Sequence, residues 1–287
     1  MIYRRRASPL HAAGAAAGSL YCLVLAGAAL VVSAPVGLAA VALTVFLAGW
    51  AAGVGRELRR AVMFALPLML VIVVVNALVA RDGLTVIVRL GDLPVLGQTD
   101  VTLEATVYGG ILALRALTLV LCGALYTAAV DPDELLRLLR PFSFRSALTA
   151  TLATRMVPIL ARDARRLADA QRCRPGPPPS RWSLIRAATS GMLDRALDVA
   201  AALEVRGYAT ASPRAARPGA GSRHRWAFIV AAAGVLALVV SGRVAGLMDF
   251  RAYPSLWVPT PLGQWLVAAG VMVCGLAPFL QRRGIVT

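Results

Sequence analysis

Arginine side chains are the residues of this sequence best able to bind a charged partner. The 287-residue chain has 30 Lys+Arg against 14 Asp+Glu, and all 30 cations are arginines. A guanidinium stays charged and binds a carboxylate through two parallel hydrogen bonds. Two arginines lie at predicted helix ends, Arg174 within Cys173-Arg174-Pro175 and Arg206 within Glu204-Val205-Arg206-Gly207. Both are candidates for docking into an acidic groove, although cations also favour helix C-termini for structural reasons alone.

The absence of lysine excludes several catalytic functions. A G-x-x-x-x-G-K-[ST] phosphate loop, a Schiff-base lysine and a protein-kinase lysine all need the missing amine, so the chain is not a P-loop ATPase by itself. Cys22, Cys122 and Cys274 lie in apolar runs, and the two histidines, His11 and His224, are far apart in the sequence. The sequence therefore predicts no disulfide framework, metal site or cofactor, and we expect a chain that is not an enzyme.

The composition places these residues in a membrane protein. Hydrophobic residues make up 59% of the chain, and the mean hydropathy is +0.71, which is too apolar for a soluble domain. A run of about 20 apolar residues can span a bilayer. Six runs suit this role, at about 12–33, 36–54, 61–80, 102–130, 226–248 and 258–280. We expect an all-α integral membrane protein with about six transmembrane helices, and with cytoplasmic helices between spans four and five.

The distribution of arginine predicts the orientation. If the N-terminus is cytoplasmic, 25 arginines fall on the inner side, four fall on the outer side, and Arg115 falls within a span. The short loops alone give eight inside against four outside. The positive-inside rule therefore predicts that both termini are cytoplasmic. The outer segment 81–101 alternates apolar residues and turns, which fits a short hairpin or a re-entrant structure.

Arg115 is the one arginine predicted to lie inside a membrane span. An arginine at the centre of a membrane helix costs about 2.5 to 3.5 kcal/mol on insertion scales. Two interpretations are open. The long helix tilts, so that the guanidinium reaches the interface, or Arg115 makes an intramembrane contact with a partner subunit or a carboxylate.

The segment 131–225 differs from the rest of the chain, since it holds 17 arginines, eight acids and proline-rich breaks. Capping residues and apolar periodicity predict three helices, from Asp131 to Pro141, from Ser146 to Arg174 and from Trp182 to Arg206. Gly207 is placed to be the left-handed cap of the third helix. Within that helix an apolar stripe with helical spacing is formed by Met192, Ala196, Val199 and Leu203.

Four sequence motifs of this segment resemble the T component of energy-coupling factor transporters, the family that includes the Q-type protein of cobalt importers. RALDVAAALEVRGY at 195–208 resembles the pattern around the family's second Ala-Arg-Gly motif, and AQRCRP at 170–175 resembles the first. LATRMVPIL at 152–160 and DPDELLRLLRPF at 131–142 resemble the segments before them. The chain departs from the family pattern at three positions, where Cys173, Pro175 and Val205 replace alanine, glycine and alanine.

The resemblance implies a role and a set of partners. Arg174 and Arg206 would each end a coupling helix docked on one of two cytosolic ATPase subunits, which hydrolyse the ATP. A small membrane subunit would bind the substrate, a vitamin or a transition-metal ion, and the complex would lie in the bacterial cell membrane. The implied organisation is transmembrane helices at 1–130, coupling helices at 131–210, a basic linker at 211–225 and two more transmembrane helices at 226–287.

Other functions fit the sequence less well. An ordinary ABC importer permease couples through one short loop with an E-A-A…G pattern, which no predicted inner loop contains. A membrane-bound enzyme would need acid pairs, a histidine cluster or a nucleophile elbow in the spans, and the predicted spans have none of these. A non-transport membrane scaffold is a further alternative. Nucleic-acid binding would need aromatics interleaved with the arginines, whereas Trp182 and Tyr208 are nearly alone. Binding of membrane lipid by the linker 212–225 fits as a background role.

Overall fold

The computed structural model describes residues 8–79, 85–93, 97–139, 144–173, 180–207, 223–248, 250 and 261–280. The chain divides into two compact units. The first, which we call the membrane unit, comprises Met1–Pro132 and Gly219–Thr287, and the second, which we call the polar unit, comprises Asp133–Pro218.

Apolar helices build the membrane unit. They follow the four-residue helix α1 (Pro9–Ala12) and are α2 (Ala15–Val31), α3 (Pro35–Ala51), α4 (Gly55–Val79), α5 (Leu103–Ala129), α9 (Arg223–Val244) and α10 (Pro261–Leu280). Four of them are long and apolar enough to cross a membrane, while α2 and α3 are apolar helices of 17 residues each. The expected fold class, an all-α integral membrane protein, is confirmed. Of the six predicted spans, four are helices of spanning length within the described residues, and the first two are the shorter helices α2 and α3.

The α3–α4 connection shows how local sequence sets a boundary. Gly53 has φ 77°, in the left-handed region that glycine adopts without strain. Its amide donates to the carbonyl of Trp50 at 3.0 Å, and the amide of Val54 donates to that of Gly49 at 2.9 Å. These bonds satisfy the last carbonyls of α3 and reverse the chain within a few residues.

The core of the membrane unit lies among α2, α3, α5, α9 and α10. Helix α5 packs on α2, α3 and α4, and α10 packs on α3 and α9. At its centre the rings of Tyr21, Phe228 and Phe279 meet edge to face, with centroids 5.2 to 6.3 Å apart. The Tyr21 hydroxyl donates to the carbonyl of Gly275 at 2.8 Å, so its burial leaves no unpaired donor.

The segment between α4 and α5 is a β-hairpin, which decides between the two structures expected for 81–101. Strands β1 (Val86–Leu93) and β2 (Gly97–Thr102) pair antiparallel, with Val86 opposite Thr102 and Leu93 opposite Gly97. The buried carboxylate of Glu104 accepts from the Thr85 hydroxyl at 2.9 Å and from the Thr85 amide at 3.2 Å. This contact ties the base of the hairpin to the first turn of α5.

The helices described in the polar unit are α6 (Pro132–Leu139), α7 (Phe144–Arg172) and α8 (Arg181–Val205). The first residue of α6, Pro132, still belongs to the membrane unit. Pro132 opens α6 with Asp133 and Glu134 in the first turn, where acids favour the positive end of a helix. Ser180 caps α8, since its hydroxyl accepts from the Ser183 amide at 3.2 Å. Both interactions follow from the local sequence.

Candidate functional site

An ion pair joins the two long helices of the polar unit. Arg195 on α8 donates from Nη1 to Oδ2 of Asp163 on α7 at 2.6 Å, and the side chains are 45% and 31% exposed. The hydrogen bond from Arg195 lowers the pKa of the Asp163 carboxyl, and the positive charges of Arg195, Arg166 and Arg162 act in the same direction. Asp163 and Arg166 lie three residues apart, a spacing that predicts a pair within one helix, so the partner on the other helix is a finding of the structure.

The position of this pair relates it to the two candidate arginines. Asp163 lies eleven residues before Arg174, and Arg195 lies eleven residues before Arg206. Eleven residues make about three helical turns, a length of about 16 Å. The Asp163–Arg195 pair therefore lies at equal distances along the chain from both motif arginines. The sequence has this spacing, but only the structure shows that Asp163 and Arg195 are partners.

The C-terminal end of α8 has the predicted geometry. Arg206 is the C-cap, Gly207 has φ 71°, and the Gly207 amide donates to the carbonyl of Glu204 at 2.8 Å. The prediction of Gly207 as a left-handed cap is confirmed. The Val205 side chain is 89% exposed, and Glu204 and Arg206 are exposed beside it. Within the described part of the chain, no ion pair is seen for the Arg206 guanidinium, so the end of α8 presents a charged group that a partner can reach.

The C-terminal end of α7 differs from the prediction. The helix ends at Arg172, and Cys173 forms a turn in which its amide donates to the carbonyl of Asp169 at 3.3 Å. Arg172 also pairs with Asp169 at 3.6 Å. The expectation that the helix continues past Arg172 is therefore wrong at Cys173, which forms a turn although its amide still makes the i→i−4 bond of a helix. Cys173 is an exposed free thiol, whereas Arg174 and Pro175 lie outside the described residues.

An exposed apolar surface runs along α8 beside the predicted stripe. Met192, Val199 and Leu203 of that stripe are half-buried, and Ala196 is exposed. The larger exposed side chains are Trp182 (79%), Ile185, Leu193 and Leu197. At 100° per residue these four fall within an arc of about 120°, and we call them the α8 apolar stripe. The sequence signal for it was present, since 182, 185, 193 and 197 follow helical spacing.

A second ion pair connects α6 to α7. Arg155 approaches Asp133 at 3.8 Å, and both side chains are substantially exposed. A pair of this kind contributes little to stability. It nevertheless brings the first turn of α6 next to the first half of α7, so the three helices of the polar unit are connected by charge contacts.

The structure gives Arg115 a partner inside the membrane unit. Its Nη2 donates to the backbone carbonyl of Val32 at 2.9 Å. Val32 is the C-cap of α2, and a cation at the carbonyl end of a helix is electrostatically favourable. The contact crosses from α5 to α2, so Arg115 has a role in holding two membrane helices together.

The comparison with known families agrees with these features. Residues 6–216, more than half of the chain, match the model of the family described as CbiQ, cobalt transport protein. No curated protein matches the chain. The family works in energy-coupling factor transporters with ATPase and substrate-binding components. The chain therefore belongs to the CbiQ family of cobalt transport proteins, the T components of energy-coupling factor transporters, and is a multi-pass membrane component of such a transport system.

Proposed function

We propose that this chain is the transmembrane coupling subunit of an ECF-type ABC importer. It transmits ATP-driven motion of two cytosolic ATPase subunits to a small substrate-binding membrane subunit, for uptake of a vitamin or a transition-metal ion. The observation that carries this proposal is the α7–α8 arrangement, in which one ion pair lies eleven residues from each motif arginine. Ordinary ABC permeases with one short coupling loop offer no counterpart to two long helices.

Rigid helices suit the transmission of motion. Helices of 29 and 25 residues are about 43 and 37 Å long. A force on the end of either helix acts on the other through the Asp163–Arg195 contact, because that contact lies within both helices rather than at their ends. Two ATPase subunits that approach each other would therefore change the angle between α7 and α8.

The exposed residues support two different kinds of contact. Arg206 offers a guanidinium suited to an acidic groove, while Val205 offers an apolar side chain next to it. The α8 apolar stripe is apolar enough to bind a membrane subunit, and an exposed tryptophan is characteristic of binding surfaces. The charged helix end would bind an ATPase subunit, and the apolar stripe would bind the substrate-binding subunit. Both contacts fit a single coupling element.

The remaining parts of the proposal follow from the same role. The chain lies in the bacterial cell membrane with both termini in the cytoplasm, which puts the polar unit on the side where ATP is available. The chain itself is not an enzyme, and ATP hydrolysis belongs to the partner ATPases. The substrate is bound by the partner membrane subunit, so its identity depends on that subunit.

The decisive experiment reverses the charge at the end of α8. Arg206→Glu places an acid against the proposed acidic groove of the ATPase subunit. Loss of a buried charged contact at an interface costs about 2 to 5 kcal/mol. We expect at least about a 30-fold weaker association with the ATPases and loss of substrate uptake. Arg174→Glu should act in the same way at the other helix. Co-purification of the ATPases and uptake in whole cells are the measurements.

A matched control is available on the same helix. Arg186 is an exposed arginine of α8 that does not lie at a helix end. Because it falls within the arc of the α8 apolar stripe, Arg186→Glu is a control for ATPase association alone, which it should leave intact while it changes the net charge equally. Wild-type association of the Arg206→Glu variant would count against docking at this residue. A requirement for only one of Arg174 and Arg206 would refute the proposal that both helix ends dock on ATPase subunits.

A further inference from the structure

An apolar groove lies where α3 and α10 end. It has a volume of about 600 Å³ and is lined by Leu47, Trp50, Ala51, Leu276, Phe279 and Leu280. Its volume is in the range of sites that bind small molecules. Trp50 is 73% exposed, and Leu280 is also exposed. The groove thus offers apolar surface at the membrane side of the molecule, with a tryptophan at its edge.

The tryptophan connects the groove to the first turn of α4. The Trp50 ring lies against Gly55, with Cδ1 only 3.0 Å from the position that a Cβ of residue 55 would occupy. The tight turn at Gly53 produces this approach, because it brings the start of α4 back onto the last turn of α3. The groove and the first turn of α4 therefore form one continuous surface.

Three arginines occupy that part of α4. Arg56, Arg59 and Arg60 are all exposed and lie within about 100° of the helix circumference. Arg59 lies four residues after Gly55, hence directly above the residue that the Trp50 ring contacts. The acid of the first turn, Glu57, is half-buried and does not belong to this exposed face. The surface next to the groove is thus strongly cationic.

The exposed face of α4 changes character immediately after these arginines. Met63, Phe64 and Leu66 are all exposed and apolar, and apolar exposure continues along the helix. A membrane helix shows this change at the boundary between headgroups and hydrocarbon, where tryptophan is also enriched. The three arginines therefore lie at headgroup level and the groove lies at the adjoining edge of the hydrocarbon.

We propose that this surface is a binding site for an anionic phospholipid. One acyl chain lies in the groove against the Trp50 ring, and the phosphate and anionic headgroup contact Arg56, Arg59 and Arg60. A zwitterionic lipid would fill the same groove but would gain less from three cations. The three arginines, which form the cationic rim of the groove, are what selects an anionic headgroup.

The test uses the purified full chain in phosphatidylcholine vesicles that contain one-fifth phosphatidylglycerol. Bromine on the acyl chain of one lipid at a time quenches nearby tryptophan, and subtraction of the signal of the Trp50→Phe variant isolates Trp50. At equal mole fraction, brominated phosphatidylglycerol should quench Trp50 more strongly than brominated phosphatidylcholine. Equal quenching by the two lipids would show a non-selective groove and overturn the proposal.

Charge variants identify the rim. Each arginine near a membrane surface contributes about fivefold to anionic-lipid binding, so Arg59→Gln should lower the preference about fivefold and the triple Arg56, Arg59, Arg60→Gln variant should abolish it. The control variant carries glutamine at the exposed Arg162, Arg165 and Arg166 of α7, which removes the same charge elsewhere. A preference that survives in the triple variant, or that falls equally in the control, contradicts the assignment.

A salt titration tests the unaltered protein. Raising the ionic strength from about 0.1 to about 1 M shortens the Debye length from about 10 to about 3 Å. The preference of Trp50 for brominated phosphatidylglycerol should fall steeply, while quenching by brominated phosphatidylcholine should stay constant. A preference that does not change with salt would mean that the headgroup charge is not what the site recognises.

Discussion

At the scale of the residue, Arg115 shows how a charge is accommodated within an apolar helix. Its guanidinium donates to the carbonyl of Val32, the residue that caps α2. The last carbonyls of a helix lack intrahelical donors, and the guanidinium supplies one while matching the negative end of the helix dipole. A position that looks unfavourable by composition therefore contributes to the contact between α2 and α5.

Replacement of Arg115 tests this contact. Arg115→Met removes the donor and leaves the carbonyl of the buried residue Val32 without it, which should lower the free energy of unfolding by about 1 to 3 kcal/mol. Thermal unfolding in mild detergent is the measurement. Arg60→Met serves as the control, because Arg60 is exposed and such surface changes stay within about 0.5 kcal/mol. An Arg115→Met variant as stable as the wild type would leave the contact without a structural role.

At the scale of the element, two helix pairs depend on different interactions. Helices α4 and α5 approach closely at Gly109, where a Cβ would lie 3.0 Å from Asn76 Cβ and 3.2 Å from Val73 Cα. Helices α7 and α8 instead meet through the charges of Asp163 and Arg195. The close approach at Gly109 leaves α4 and α5 little freedom, whereas the α7–α8 pair includes an ion pair that a change of charge can adjust.

The α4–α5 fit has a matched pair of glycines. Alanine gains about 1 kcal/mol of helix propensity over glycine, and Gly110 has open space around its Cβ position, so Gly110→Ala should be neutral or slightly stabilising. Gly109→Ala gains the same propensity but meets the backbone of α4, and overpacking typically costs about 1 to 3 kcal/mol. Equal unfolding temperatures for the two variants would mean that α4 moves aside freely.

The α7–α8 contact should respond to a charge swap. Asp163→Arg or Arg195→Asp puts like charges together and should raise amide hydrogen exchange in both helices and reduce uptake. The double variant Asp163→Arg/Arg195→Asp restores opposite charges, and we expect it to recover protection and uptake together. Two singles and a double that all behave alike would argue that the pair does not position the helices.

The same contact has a defined dependence on pH. Arg195 lowers the pKa of Asp163 in the folded protein, so the contact stabilises the folded state above the ordinary aspartate pKa of about 3.9. The stabilisation is lost as the pH falls below that value and through the lower folded pKa. Amide protection of α7 and α8, corrected for intrinsic exchange, should decline in this acidic range in the wild type and not in Asp163→Asn.

At the scale of the molecule, the membrane unit is uneven in length. A Cβ on Gly18 of α2 would lie 3.5 Å from Val130 at the end of α5, and the other end of α2 meets Arg115. Residues 103–114 of α5 therefore continue about 18 Å past the end of α2. This extended part of α5 begins directly after strand β2 of the hairpin.

Thiol labelling can test the predicted orientation. Cys173 is an exposed free thiol, Cys22 and Cys122 are buried, and Cys274, which is partly exposed, lies within the apolar helix α10. In intact cells a membrane-impermeant maleimide should leave the wild type unlabelled and should modify a Gly91→Cys variant in the hairpin. Permeabilised cells should then show labelling of Cys173. Labelling of Cys173 in intact cells would invert the topology and place the polar unit away from ATP.

The parts of this structure that sequence reasoning predicts are those set by local chemistry. Gly207 is recognisable as a left-handed cap because it directly follows the last residues of an amphipathic helix. The six apolar helices are recognisable from their composition, with ends within six residues of the expected ones, and the largest difference is the start of α4 at Gly55 rather than at 61. The partner of Asp163 is not, because all six arginines of α7 are nearer to it in sequence than Arg195 is. The acceptor of Arg115 is not either, since a backbone carbonyl leaves no mark on the sequence.

The 17 residues of α2 and of α3 have a consequence for the surrounding lipid. Each helix is about 25 Å long, whereas the hydrocarbon of a typical bilayer is about 30 Å thick and α4 is long enough to cross it. We expect the bilayer to thin beside the exposed side chains of Leu23, Leu30 and Phe46, at a cost of a fraction of a kcal/mol per Å of mismatch. The hydrocarbon thickness that suits the chain therefore differs around its perimeter. A thinner membrane reduces the mismatch on the α2–α3 side.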